Sequence, residues 1–257
     1  MSHWYDKDGS PQYEVKSKSG PMRSTTLRDA RKFEWVPSVS TIWKDVVASP
    51  GLNRYYQEQL FNVMLESIRT VGGVLREYNL ESEGPNFKKR MFALSKEHAI
   101  KSAERGTHIH NLLEQQLLTG KCGSQNQNEI HMVMQTISKM KEVCGDQDWK
   151  VEKSFAHPMG YGGKIDVYSD EWVVDFKTKE LDDGKKPDVY DSNGVQLAAY
   201  NHGIGGGRKL LNLFISVSSP GYVVDYEWEE RERLFSMFET ALKLWQLTKR
   251  YDASWQA

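Results

Sequence analysis

Hydrophobic positions change their spacing along this chain, and each change marks an element. Near the C-terminus Leu234, Phe238, Ala241, Leu242 and Trp245 recur every three or four residues. That spacing predicts an amphipathic helix from Glu229 to Arg250 with one face in a core. The acidic start "EWEERER" and the "KR" near its end suit the two poles of the helix dipole. Between residues 150 and 228 the apolar residues cluster in short runs. These predict strands at Lys150–His157, Lys164–Ser169, Glu171–Phe176, Leu210–Val217 and Tyr222–Trp228, with a helix around Val195–His202. A polar loop rich in Asp, Gly, Lys and Pro fills residues 180–194. Upstream, helical patterns begin at Ser38 ("SVSTIWKDVV") and again after Pro50 and Gly51. Two more run from Asn86 to roughly Gly120, with Gly106 interrupting, and from Glu129 to Val143. Residues 1–36 are polar and turn-rich, with "DKDGSP" as a turn signal between short extended pieces. There is no internal repeat and no low-complexity linker.

At 257 residues the chain is long enough for one large domain, or one domain with an arm. Its 34 basic and 35 acidic residues leave a net charge of -1, so any basic surface must be local. Cys122 and Cys144 are the only cysteines, too few for a disulfide framework, a four-cysteine zinc site or an iron–sulfur cluster. No apolar run approaches the roughly 18 residues of a membrane span. The opening "MSHWYDKDGSPQYEV" lacks the basic and apolar regions of a signal peptide. A soluble, intracellular protein with no membrane partner is expected.

The candidate chemistry begins where Trp172, Val173 and Val174, apolar enough for a buried strand, run into Asp175, Phe176 and Lys177. Alternation puts Asp175 and Lys177 on one side of that strand and Phe176 on the other. A hairpin through "YSDE" can bring Asp166 close to Asp175. Two carboxylates held together repel unless a cation or a proton lies between them. Removing one from the metal-free protein would on that ground raise its melting temperature. Oxygen ligands of this kind suit Mg²⁺ or Mn²⁺, and a neighbouring lysine can orient water and stabilise developing negative charge. An isolated Asp-x-Lys is a weak signal, since such tripeptides occur on exposed strand ends. In "ERGTHIHNLLEQQL", His110 and Glu114 lie one helical turn apart. Alone they read as a surface histidine beside a surface glutamate, and His108 is a rival ligand about half a turn away. In "GVQLAAYNHGI", Gln196 and Tyr200 have the same spacing, which alone means only an amphipathic helix.

Taken in order, these pieces are Gly106-Thr107-x-x-His110-x-x-x-Glu114, Gly163-x-x-Asp166, Asp175-x-Lys177 and Gln196-x-x-x-Tyr200. The series resembles the RecB-like branch of the PD-(D/E)XK nuclease superfamily. The predicted elements from about residue 100 to 217 are similar to that family's αβββαβ core, an α/β (α+β) fold. "WYDKDGSPQYEV" and "TTLRDARKFEWVPSVSTI" look like the start of phage-encoded exonucleases of this group. The resemblance implies an arm and helical region at residues 1–100, packing on or arching over a nuclease core at residues 101–257. It implies that His110, Asp166, Asp175 and the main-chain carbonyl of Phe176 bind Mg²⁺ or Mn²⁺. Lys177 would position the attacking water, and Glu114 would support the metal through water. Gln196 and Tyr200 would contact the nucleic-acid strand or hold the shape of the site. Iron–sulfur members of the family carry four cysteines flanking the core, and this chain lacks them, so no cluster is expected.

Lys88, Lys89, Arg90, Lys101 and Arg105 lead into the His110 helix and suit phosphate tracking, though a solvated helix face has the same pattern. Trp43, Tyr55, Tyr56 and Phe61 could stack on bases, though such aromatics more often fill a core. The expectation is a metal-dependent DNA nuclease in a phage-like context. Exonucleolytic action on single strands or DNA ends is favoured, in the (host) cytoplasm and beside phage replication or recombination proteins. The alternatives are a scaffold that binds nucleic acid or protein without cutting, and an endonuclease.

Overall fold

Two short ladders organise the N-terminal residues of the computed structural model, which describes residues 3–17, 19–47, 50–70 and 84–255. Strand β1 (Trp4–Tyr5) pairs antiparallel with β4 (Val36–Pro37), and β2 (Glu14–Lys16) with β3 (Met22–Ser24). "DKDGSP" is the expected turn: the Asp6 carboxylate accepts from the Asp8 and Ser10 amides at 3.1 and 2.8 Å. Helix α1 (Leu27–Phe33) is capped by Thr26, whose amide and hydroxyl both donate to Asp29. Helix α2 (Val39–Val46) starts at Ser38, whose hydroxyl accepts from the Thr41 amide at 3.1 Å.

Three helices follow: α3 (Pro50–Thr70), α4 (Gly84–Thr119) and α5 (Gln127–Cys144). Helix α4 runs unbroken through Gly106, because one glycine costs a helix only about 1 kcal/mol relative to alanine. The chain forms two compact units, residues 1–47 with 109–257, and residues 48–108. Residues 1–47 therefore belong with the sheet rather than with the helical segment after them. Trp4, Ala30, Val39 and Ile42 are all buried in the same core as the later helices.

The second half builds a mixed five-stranded sheet from β5 (Lys150–His157), β6 (Tyr161–Tyr168), β7 (Trp172–Lys179), β8 (Lys209–Ser216) and β9 (Val223–Trp228). The strands lie in chain order, and all neighbours are antiparallel except β7 and β8. A parallel neighbour needs a crossover, supplied by α6 (Asp191–Gly203). Helix α7 (Arg231–Lys249) closes the chain with the five apolar residues of its periodic face all buried. One core holds residues of α2, α6 and α7 against Ile165, Val173 and Leu210. The other holds residues of α5 and the end of α4 against Trp172, Val174 and Phe176. The result is an α+β unit with helices on both sides of a mixed sheet.

Candidate active site

Strand β7 divides its residues as alternation requires. Trp172, Val174 and Phe176 enter the α5 core, while Asp175 and Lys177 meet α6. Asp175 is 3% exposed and both of its carboxylate oxygens are engaged. Oδ1 accepts from Lys177 Nζ at 3.0 Å and Gln196 Nε2 at 3.2 Å, and Oδ2 accepts from Asn212 Nδ2 at 2.7 Å and lies 2.8 Å from the Lys177 ammonium as an ion pair. Three hydrogen bonds and an ion pair thus engage both oxygens, out of the roughly four acceptor positions of a carboxylate. Gln196 also accepts from Lys177 at 3.2 Å and donates to the Tyr200 hydroxyl at 2.9 Å, so the one-turn spacing on α6 becomes a clamp.

Asn212 and Trp228 belong to this site, and sequence reasoning missed them. Asn212 is fully buried in β8, and its amide oxygen accepts from Trp228 Nε1 at 2.8 Å. The indole thereby fixes the amide with its NH₂ toward Asp175. An asparagine inside the apolar run "LLNLFIS" was the available signal. Gly194 makes room for the arrangement, since a Cβ there would come within 2.6 Å of the Trp228 ring.

Asp166 lies on β6 just past its last pairs with β7, close enough to Asp175 for the two charges to interact. The β6–β7 ladder pairs Tyr168 with Val173 and Val167 with Val174 and then stops. Past that point Oδ2 of Asp166 accepts the Phe176 amide at 3.0 Å, replacing the missing strand partner. His110 Nδ1 approaches the same oxygen at 3.4 Å, and its ring meets Phe176 edge-on at 5.9 Å. Among the described residues, Oδ1 of Asp166 accepts no hydrogen bond. A narrow cleft lined by His110, Glu114, Glu152, Asp166 and Phe176 opens here. Glu152, also unforeseen, sits opposite Asp166 on β5 with a left-handed backbone (φ 53°) and is ion-paired with Lys164.

Electrostatics follow from these contacts. Burial opposes the Asp175 anion, and although Lys177 works the other way, the facing Asp166 adds to burial, so the Asp175 carboxyl lies above its usual range. Burial also opposes the Asp166 anion, but His110, Lys177 and the Phe176 amide outweigh it and hold that carboxyl low. His110 and Lys177 both lose hydration on burial, yet the facing carboxylates outweigh that loss and raise both above their usual values. Glu114 is raised by burial and then by Glu152.

The described residues contain no group of three His, Cys, Asp or Glu side chains placed to hold a metal ion. The donor chemistry nevertheless fits a hard divalent cation in part. Asp166 is 22% exposed at its side chain and has an uncommitted Oδ1, while its Oδ2 lies 3.4 Å from His110 Nδ1, near the roughly 3 Å between two ligands of one such ion. Asp175 fits only if Lys177 gives up one of its oxygens. Lys88, Lys89, Arg90, Lys101 and Arg105 are exposed on α4 within the 48–108 unit, where Lys101 is paired with Glu97 at 2.7 Å. Tyr56 and Phe61 are exposed on α3 of that unit. Tyr200 is only 7% exposed.

Fold and site together define an α+β chain with a buried carboxylate–lysine centre and a histidine–carboxylate pair beside it. No family model and no curated protein matches the chain. Among solved structures, one described as "Crystal structure of SSO0001" is similar at 14% identity and a TM-score of 0.34, covering 76% of this chain and 87% of that one. Among the described residues, no helix is long and apolar enough to cross a membrane.

Proposed function

We propose that this chain is a Mg²⁺- or Mn²⁺-dependent deoxyribonuclease of the RecB-like PD-(D/E)XK kind, acting as an exonuclease on single strands or DNA ends. The observation that carries the reading is the pair Asp166 and Asp175, on neighbouring strands and close enough for their charges to interact, with Lys177 paired to Asp175. Such a pair has a use for a cation, and carboxyls with perturbed titration cluster at functional sites. Asp166, Asp175, His110 and the Phe176 carbonyl would hold the ion, which when bound supplies Lewis-acid stabilisation of the phosphate and a more acidic water. Lys177, kept charged by the carboxylates, would orient that water and meet negative charge developing on the phosphate. Gln196 and Tyr200 would hold Lys177 and Asp175 in register, and Glu114 would act through solvent. Phage DNA replication, recombination or repair is the setting that the sequence resemblance suggests.

A second reading has its own support. Both oxygens of Asp175 are already engaged by Lys177, Gln196 and Asn212, as in a scaffold that binds nucleic acid or protein without cutting. Incubating labelled linear DNA with Mg²⁺ or Mn²⁺, with and without EDTA, separates the two. Cleavage that vanishes in EDTA and in Asp175→Ala establishes the enzyme, and an intact substrate under every condition establishes the scaffold. Circular single strands of the same sequence then test the mode of action, and equal rates on circles and linear strands would make it an endonuclease.

A further inference from the structure

A cavity of about 250 Å³ opens between α2 and α6, inside the unit that carries the carboxylate–lysine centre. Trp43 and Lys44 line it from α2, Ser192, Asn193 and Gln196 from α6, and Lys177 from β7. Lys177 and Gln196 are thus shared with the centre, where both bond to Asp175. The cavity is smaller than the roughly 300–1,000 Å³ of drug-sized ligand sites, which suits one ring system. Trp43 is half-buried against the core and also borders this space. Lys44 is exposed at the rim.

We infer that this cavity receives the base of the nucleotide next to the cleaved phosphate, with Trp43 stacking on it. The inference rests on the nuclease reading, because a phosphate at Lys177 must carry its neighbouring nucleotide somewhere within reach of that residue. An inorganic anion would use the lysines and leave the indole and the apolar wall without a role. A nucleotide uses all of them: the base lies against Trp43, the hydroxyl and amide of Ser192 and Asn193 meet polar edges of base or sugar, and Lys44 meets the next phosphate. Stacking of this kind tolerates any base, since every base has a π face.

The test compares binding of a short oligo-dT strand with a deoxyribose-phosphate strand of equal length that carries no bases. Fluorescence anisotropy in EDTA measures both, so no cleavage is needed. Wild type should prefer the strand with bases by about tenfold or more. Trp43→Phe should keep most of that preference and Trp43→Leu should lose most of it. Photo-crosslinking of wild type to a 5-iodo-deoxyuridine strand should place an adduct on Trp43, which decides the matter even if Trp43→Leu fails to fold. Equal binding of the two strands by wild type, binding of neither, an unchanged preference in a folded Trp43→Leu, or adducts only elsewhere would each overturn the inference. A protein that shows the preference and the adduct but never cleaves with Mg²⁺ or Mn²⁺ refutes the nuclease reading and leaves the base site standing.

Discussion

Asp175 shows how far the company of a residue can reverse what its charge suggests. Repulsion from Asp166 alone would make Asp175→Ala stabilising. Its carboxylate, however, takes hydrogen bonds from Lys177, Gln196 and Asn212, and truncation strands those donors in a site with 3% exposure. Stranded buried donors each cost about 1–3 kcal/mol. Asp175→Ala is therefore expected to lower stability by about 2 kcal/mol or more, and urea unfolding of the metal-free protein will show it. A higher midpoint for the variant would mean that repulsion dominates. The histidines make a second case at this scale. His110 faces Asp166 at 3.4 Å, whereas His108 is exposed and belongs to the 48–108 unit. If His110 is a ligand, His110→Ala should weaken Mn²⁺ binding about tenfold or more while His108→Ala leaves it nearly unchanged. Titration calorimetry on both variants decides, and equal losses would reject His110.

Elements meet at the site through glycines and caps. Gly163 on β6 faces Tyr200 on α6, and a Cβ there would come within 2.5 Å of the Tyr200 ring. Gly163→Ala should push that ring, loosen the Gln196 clamp and cost about 1–3 kcal/mol through overpacking. A wild-type unfolding midpoint in the variant would show that the strand and helix can separate freely. The cap of α1 gives a pH dependence. The Arg23 guanidinium holds the Asp29 carboxyl well below the usual carboxylate range; burial opposes this, and Thr26 adds to it. A carboxyl depressed by folding stabilises the native state above its unfolded pKa of about 3.9, and that contribution disappears as pH falls through the folded value. Wild type should lose this stability progressively below about pH 5. Asp29→Asn should lack it already at pH 7 and so lose less between pH 7 and pH 3. Identical pH slopes for the two proteins would remove Asp29 from the account.

At the scale of the molecule, the question is which charges meet a nucleic acid. The net charge of -1 makes any attraction local, and Lys88, Lys89, Arg90 and Arg105 are exposed on α4. If these track a single strand, each phosphate they neutralise adds about 0.7 to the slope of log affinity against log salt. Replacing Lys88, Lys89 and Arg90 together by glutamine should reduce that slope by about 2. Lys101, already paired with Glu97, should matter less when replaced. An unchanged slope in the triple variant would assign this stretch to an ordinary solvated helix face.

Much of the architecture is written locally. The alternation of β7, the periodic face of α7 and the turn at "DKDGSP" are properties of neighbouring residues, so the order of strands and helices from residue 150 onward is legible in the sequence alone. The same locality places Asp175 and Lys177 on one side of a strand, and His110 with Glu114 and Gln196 with Tyr200 on single helical faces. Long-range facts are decided elsewhere. That Asp166 comes near Asp175 and takes the Phe176 amide depends on where the β6–β7 ladder stops. That Glu152 stands across from Asp166 depends on strand register and on a left-handed residue within β5. Asn212 holds Asp175 because parallel pairing sets the two side by side, and Trp228 holds Asn212 from the next strand. Residues 1–47 join the sheet through burial of Trp4, Val39 and Ile42, a grouping that their polar, turn-rich composition does not announce. Periodicity reports which face of an element is apolar. Which elements share those faces, and at what register, is fixed only by packing over long sequence separations.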